Sequence, residues 1–159
     1  MSVSQPPKPE RVTQIARFER LFRVAASIDV DKHDLRRFET FIESKIDDFL
    51  FRACEVAQES GRAVVFASDL PITKGLAARI DEFVRIDQEL ELGPVLDKLG
   101  KRPPQLGLEY AVEVFTRLPE LAGGMSIALA RSFKIIEPDI KAVATADWER
   151  AFQLFDLVW

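Results

Sequence analysis

The feature that most constrains this chain is a long run of apolar residues at helical spacing. Apolar side chains recur at three- and four-residue steps, at Leu35, Phe38, Ile42, Ile46, Phe49, Ala53 and Val56. They share one side of a helix of about six turns. Asp31, with Asp34 three residues on, predicts its capped start, and Gly61 suits its end. Such a stripe is unstable in water, so other parts of the chain must cover it.

The rest of the chain also follows helical spacing, which predicts an all-α fold. Further helical patterns cover 12–28, 76–90, 108–118, 119–136 and the residues from Trp148 onward. Pro119 is predicted to begin a new helix, because proline suits a first turn and disrupts a helix interior. Val64, Val65 and Phe66 are β-prone and too few for more than a short strand.

The composition of the chain and the positions of its glycines and prolines favour one globular domain. Hydrophobic residues make up 47% of the chain and charged residues 30%, with a net charge of −4. We predict a disordered polar tail at 1–11 and a single helical domain at 12–159, with an internal joint at LGKRPPQLG, 99–107. There is no membrane-length apolar run and no leader, and Cys54 is the only cysteine. We therefore expect a cytoplasmic protein without a membrane partner.

The residues that usually carry chemistry are scarce. His33 is the only histidine, and it lies in the polar stretch DVDKHD. Asp29, Asp31 and His33 are spaced like the start of a calcium loop, but the sixth position is Asp34 and the twelfth is Thr40, where a glycine and a glutamate are needed. Zinc, phosphate-loop and metalloprotease patterns are also missing. We predict no enzymatic activity, no metal, no cofactor and no small-molecule substrate.

The stretch SGRAVVFASDLPI, residues 60–72, has an arginine at the end of the long helix and an aspartate seven residues later. If the loop folds back, Arg62 and Asp69 form a structural clamp while Asp69 caps the next turn. The alternative is a capping Asp69 beside an unrelated surface arginine. A shorter stretch at 141–147, KAVATAD, echoes the same order.

This order of a long helix, Gly-Arg, a short strand and Asp resembles the histone fold. With FERLFRVAASIDVDKHDLRRF, DLPITKGL and LPELAG, residues 14–158 resemble a small bacterial family of tandem histone-fold proteins of unknown function. The resemblance implies two histone-fold halves, about 12–91 and a degenerate 104–159, packed as an intramolecular pseudo-dimer. The second half would then cover the apolar stripe of the long helix.

Basic residues mark the elements that meet DNA phosphates in the histone fold. They are Arg17, Arg20, Arg23, Lys32, Arg36 and Arg37. Acidic residues interleave with them, which is equally typical of a salt-bridged surface: Glu19, Asp29, Asp34 and Glu39. Histones usually have a lysine and a threonine after the loop arginine, whereas this chain has Ala63 and Val64. We therefore expect only weak, sequence-independent DNA binding.

The last helical pattern carries a face of large aromatic residues. These are Trp148, Phe152, Phe155 and Trp159. Such a stripe is most often core, and its alternative role is a docking face for a protein partner or a second copy. The sequence as a whole favours a non-enzymatic structural or protein-interaction module. The alternative is a weak, histone-like DNA-binding protein of the nucleoid.

Overall fold

The computed structural model describes residues 9–90 and 107–159, and the side chains of 15–86 and 107–159. Five helices make up most of the described residues: α1 Pro9–Ala26, α2 Lys32–Glu59, α3 Lys74–Leu90, α4 Val112–Ile136 and α5 Thr145–Val158. Two strands, β1 Val64–Val65 and β2 Glu109–Tyr110, and a 3-10 turn at Ala67–Asp69 complete them. The predicted all-α class is confirmed. Residues 1–8 of the predicted tail and 99–106 of the predicted joint lie outside the described residues.

The long helix α2 begins and ends at the residues that the sequence indicates. Asp31 Oδ1 accepts hydrogen bonds from the amides of His33 at 2.8 Å and Asp34 at 3.0 Å. Asp34 Oδ2 accepts from the amide of Asp31 at 3.0 Å, which completes a reciprocal capping box. The hydrogen bond from the Asp34 amide lowers the pKa of Asp31. At the other end Gly61 has a φ of +71°, a conformation that glycine adopts without a Cβ penalty.

The predicted break before Pro119 is wrong. Helix α4 runs unbroken from Val112 to Ile136 with Pro119 inside it. A proline at this position removes the amide that would bond the carbonyl of Phe115, and Phe115 is exposed, so water can reach that turn. Leu118 and Leu121, on either side of the proline, are fully buried. Core packing therefore holds the helix together where the local signal predicted an end.

Two parallel pairings join segments that are far apart in the chain. In the first, β1 follows α2 and pairs with β2, which precedes α4, with Val64 opposite Glu109 and Val65 opposite Tyr110. In the second, Asp29, between α1 and α2, forms an isolated parallel bridge with Ala142, between α4 and α5. The loops at both ends of α2 are thus each paired with a loop at one end of α4.

Helices α3 and α4 approach each other closely at a pair of glycines in α4. A Cβ built on Gly123 would overlap the ring of Phe83 in α3. A Cβ built on Gly124 would lie 2.5 Å from Ile80 Cγ1 and 3.0 Å from the Ile80 amide nitrogen. On the same pair of helices, Arg131 forms a two-point ion pair with Glu82, at 2.7 and 2.8 Å. The sequence AGG at 122–124 therefore serves helix packing.

Candidate functional site

The loop after α2 is held by Arg62 and Asp69. The guanidinium of Arg62 donates from Nη2 to Asp69 Oδ1 at 2.7 Å and from Nη1 to Asp69 Oδ2 at 2.8 Å. Nη1 also donates to the carbonyl of Val64 at 2.9 Å, and the arginine Cζ lies 4.4 Å from the ring centroid of Phe66. Asp69 Oδ2 accepts a further hydrogen bond from the Phe66 amide at 2.8 Å. One arginine and one aspartate thus close the loop around β1.

The electrostatics of this pair are asymmetric. The Asp69 side chain is buried and the Arg62 side chain is partly exposed. Hydrogen bonding from Arg62 holds the pKa of Asp69 below its usual 3.8, against the opposing effect of burial. Asp69 in turn raises the pKa of Arg62. The carboxylate therefore stays ionised at neutral pH although it is buried.

Asp147, at the start of α5, makes the same kind of capping hydrogen bond as Asp69 but has no arginine partner among the described residues. Its Oδ2 accepts a hydrogen bond from the Ala144 amide at 2.8 Å, three residues back, just as Asp69 accepts from Phe66. Lys141 stands where KAVATAD aligns with Arg62, and no ion pair joins Lys141 to Asp147. Asp147 is therefore a matched control for the part of the Asp69 effect that is helix capping alone.

We expect Asp69→Ala to lower the free energy of unfolding by more than Asp147→Ala, for which the capping loss is about 1–2 kcal/mol. Arg62→Ala should cost less than Asp69→Ala, because a partly exposed arginine is screened by solvent. Urea unfolding of the two single variants and the double variant measures the coupling. The double variant should lose less than the sum of the single losses, and strict additivity would contradict the clamp.

The same pair has a pH signature. Because the folded-state pKa of Asp69 is lowered below 3.8, its contribution to stability is complete above that pH and is lost as the pH falls through the folded pKa. The stability difference between the wild type and Asp69→Asn should therefore shrink in acid. A difference that stays constant down to the onset of acid unfolding would contradict this assignment.

The predicted DNA-contact residues run from the middle of α1 to its last turn and occupy the start of α2. Arg20, Arg23, Lys32 and Arg36 are exposed, and Arg17 and Arg37 are half-buried. Arg37 Nη2 donates to Thr145 Oγ1 on α5 at 2.9 Å, so it also joins two helices. Arg23 approaches Asp29 at 4.0 Å, with both side chains well exposed. We call these six residues the basic surface, and at least one acidic residue, Asp29, lies beside them.

The carboxylates near this basic surface occupy both neighbouring helix N-termini. Asp31 caps α2, and Asp147 caps the loop that leads into α5. Asp34 is buried and its Oδ1 accepts a hydrogen bond from Trp148 Nε1 at 2.8 Å. Asp31 thus occupies the amides of His33 and Asp34, and Asp147 occupies the amide of Ala144, which leaves fewer donors for a phosphate.

The predicted aromatic face of α5 packs inward. Trp148 and Phe155 are buried, while Phe152 and Trp159 are half-buried. The ring of Phe41 on α2 stacks on Phe152 at 5.2 Å and contacts Phe155 at 5.4 Å. The packing matches the core interpretation of the stripe and leaves only Phe152 and Trp159 partly accessible to a partner.

The opposite side of α5 carries exposed apolar residues in its last two turns, beyond Arg150. Leu154, Leu157 and Val158 are 39%, 84% and 60% exposed. Their spacing of three and four residues puts them side by side on one helical surface, which we call the outer stripe of α5. These residues were not predicted from the sequence, because two apolar faces on one helix first indicate a fully buried helix.

Metal-ligating groups do not cluster among the described side chains. No group of three or more His, Cys, Asp or Glu residues among them is arranged to hold a metal ion. The thiol of Cys54 is buried, 3.9 Å from the Tyr110 hydroxyl. None of the helices in the described ranges has the length and apolar character needed to cross a membrane.

Comparison with known protein families shows to which family the chain belongs. Residues 18–156 match the family model described as Domain of unknown function (DUF1931). The chain belongs to this family. The DUF1931 match extends over all of α2 to α4, the second half of α1 and most of α5.

Similar proteins occur in the bacteria Aquifex aeolicus and Thermus thermophilus. An uncharacterized protein of Aquifex aeolicus (strain VF5) is 29% identical over 140 residues, covering 82% of this chain and 83% of that protein. A crystal structure from Thermus thermophilus is similar with a TM-score of 0.80 at 48% identity, covering 91% of this chain and 97% of that chain. A 1.9 Å crystal structure from Aquifex aeolicus has a TM-score of 0.80 at 18% identity, covering 98% and 100%, and so shares the fold.

Proposed function

We propose that this DUF1931 chain is a tandem histone-fold protein whose two halves form an intramolecular pseudo-dimer. The two parallel loop pairings support this, because each loop flanking α2 pairs with a loop flanking α4. The clamp of Arg62 and Asp69, and the corresponding capping position of Asp147, support a relation between the loop after α2 and the loop after α4. On this proposal α2 and α4 are the central helices of the two halves.

The function we propose is protein interaction without catalysis, and the outer stripe of α5 is the observation that carries it. The inner aromatic face of α5 already has its partners on α2. The outer stripe of Leu154, Leu157 and Val158 is exposed, and Arg150 lies one turn before it on the same side of the helix. Anchors at steps of three and four residues are the pattern of a helix that lies in an apolar groove of another protein. We therefore assign the stripe to a partner protein that offers such a groove.

Site-specific photo-crosslinking in cells tests this proposal. A photoreactive amino acid in place of Leu157 should give a discrete adduct, and the same amino acid in place of Glu149 should not. Glu149 is the matched control, since it is exposed on the same helix away from the stripe. Val158→Asp should abolish the adduct at residue 157. An adduct at twice the mass of the chain would identify a second copy as the occupant instead, and equal labelling at both positions would contradict the proposal.

DNA binding is the second candidate, and the exposure of the basic surface favours it. Arg20, Lys32 and Arg36 are exposed on α1 and at the start of α2. Two features weigh against tight binding. Residues 63 and 64 of the loop, Ala63 and Val64, cannot neutralise phosphates, and the net charge of the chain is −4.

We expect weak or undetectable binding of a labelled random DNA duplex at physiological salt. Fluorescence anisotropy measures this binding. Binding at low salt should fall in an Arg17, Arg20, Arg36→Ala variant, since each lost phosphate contact lowers the double-log salt slope by about 0.9. The control removes the same number of charges elsewhere, at Arg52, Lys74 and Arg85, and should bind like the wild type. Submicromolar binding at physiological salt that the first variant abolishes would favour the DNA function over protein interaction.

A further inference from the structure

Two charged side chains lie within the buried face of α2, Asp34 at its start and Lys45 near its middle. Lys45 is 3% exposed, in a row whose other members, Phe38, Ile42 and Phe49, are buried and apolar. Its Nζ donates to Asp156 Oδ1 on α5 at 2.6 Å and lies 3.8 Å from Asp48 Oδ2. From Phe38 to Phe49 this row would be apolar if position 45 held a leucine or a methionine.

The burial of this ion pair is one-sided. The side chains of Asp156 and Asp48 are 71% and 59% exposed, so both carboxylates keep much of their hydration while the lysine loses its own. Such a pair contributes little net stability, because the desolvation of the lysine offsets the attraction. Leaving the same lysine buried without a carboxylate is strongly unfavourable. The ion pair therefore adds little stability to the native arrangement, but it strongly disfavours any arrangement in which Lys45 is buried without a carboxylate.

The faces that α2 and α5 present to each other are periodic. On α5 and at its end the aromatic residues follow steps of four, three and four, at Trp148, Phe152, Phe155 and Trp159. On α2 the buried row follows the same steps, at Phe38, Ile42, Lys45 and Phe49. Two rows with this repeat can pack again after a slide of one turn, about 5 Å. The ring of Phe41 already contacts three rings of the aromatic row, at 5.2, 5.4 and 6.3 Å.

We propose that Lys45 is a positioning residue that selects one docking register of α5 on α2. A slide of α5 by one turn would bring Phe152 to Lys45 in place of Asp156 and would strand the ammonium among aromatic rings. A single polar side chain in an apolar helix interface is known to select register in this way, at a cost in stability. The hydrogen bond from Trp148 Nε1 to Asp34 Oδ1 marks the same register at the first turn of α5. This inference is independent of the proposed protein partner.

The test uses the two tryptophans of the chain, both of which lie on α5 or at its end. In protein labelled with 5-fluorotryptophan, the wild type should give one narrow fluorine resonance per tryptophan. In Lys45→Met the Trp159 resonance should split or broaden, because Trp159 contacts Phe41 and Phe49 and reports the register. The urea midpoint of this variant should be unchanged or higher.

Arg52→Met is the matched control, since it removes a basic side chain from α2 whose ion pairs with Glu55 and Glu59 stay within the same helix. It should keep two narrow resonances. One narrow resonance per tryptophan in Lys45→Met would overturn the proposal, because the register would then be set without the lysine. A Lys45→Met protein that fails to fold, or that unfolds at lower urea, would also overturn it, because the pair would then serve stability.

Discussion

A fragment that ends at residue 103 is expected to aggregate or to pair with itself instead of folding as a monomer. The fragment lacks α4 and α5, which cover α1, α2 and α3 in the intact chain. Phe22 loses its contacts with Phe133 and Trp148, and Phe41 loses its contacts with three rings of the aromatic row of α5. A stripe of buried aromatic and aliphatic residues on α2 would then face water.

Sedimentation velocity and urea unfolding of the purified fragment measure this effect. The control is complementation, in which residues 104–159 are co-expressed as a separate chain. The second piece should restore a soluble one-to-one complex, because it supplies the missing half of the core. A fragment that is monomeric and unfolds cooperatively by itself would mean that each half has its own core.

Replacement of Gly124 by alanine is expected to destabilise the protein by about 3 kcal/mol, at the upper end for overpacking of a core. The added methyl would lie 3.0 Å from the backbone nitrogen of Ile80, so relief requires α3 or α4 to move as a whole. This cost exceeds the gain of up to about 1 kcal/mol that alanine brings over glycine inside a helix.

Gly75→Ala is the matched control, since Gly75 lies in α3 and a Cβ there meets nothing within 4 Å. That variant should be as stable as the wild type or more stable, by about 0.4–1 kcal/mol. Urea unfolding at constant m-value measures both changes. Equal stability of Gly124→Ala and the wild type would show that the glycine does not set the distance between α3 and α4.

Features that depend on neighbours in the chain could be predicted well. The capping box of Asp31 and Asp34 and the left-handed Gly61 involve residues within a few positions of one another. Arg62 and Asp69 are seven residues apart, close enough for the spacing to indicate a pair. The helical class followed from apolar periodicity, because an apolar repeat of about 3.6 residues sustained over several turns is the pattern of an amphipathic helix.

Features that depend on distant residues were missed or misjudged. The ion pair of Lys45 and Asp156 spans 111 positions, and no local pattern connects the two residues. The predicted break at Pro119 failed because Leu118 and Leu121 are buried against the core, and that packing outweighs one missing hydrogen bond. The outer stripe of α5 was missed because spacing alone cannot tell which of two apolar faces is covered.

The sequence by itself determined the helical class, the capped start of α2 and the closing of the loop after it, because these arise from short-range hydrogen bonding and periodicity. Only the tertiary structure decided which faces those elements bury. It put the aromatic face of α5 against α2 and left Leu154, Leu157 and Val158 exposed. It also brought β1 beside β2 and Asp29 beside Ala142. The physical reason is that a helix face is buried only when another element covers it, and the covering elements lie elsewhere in the chain.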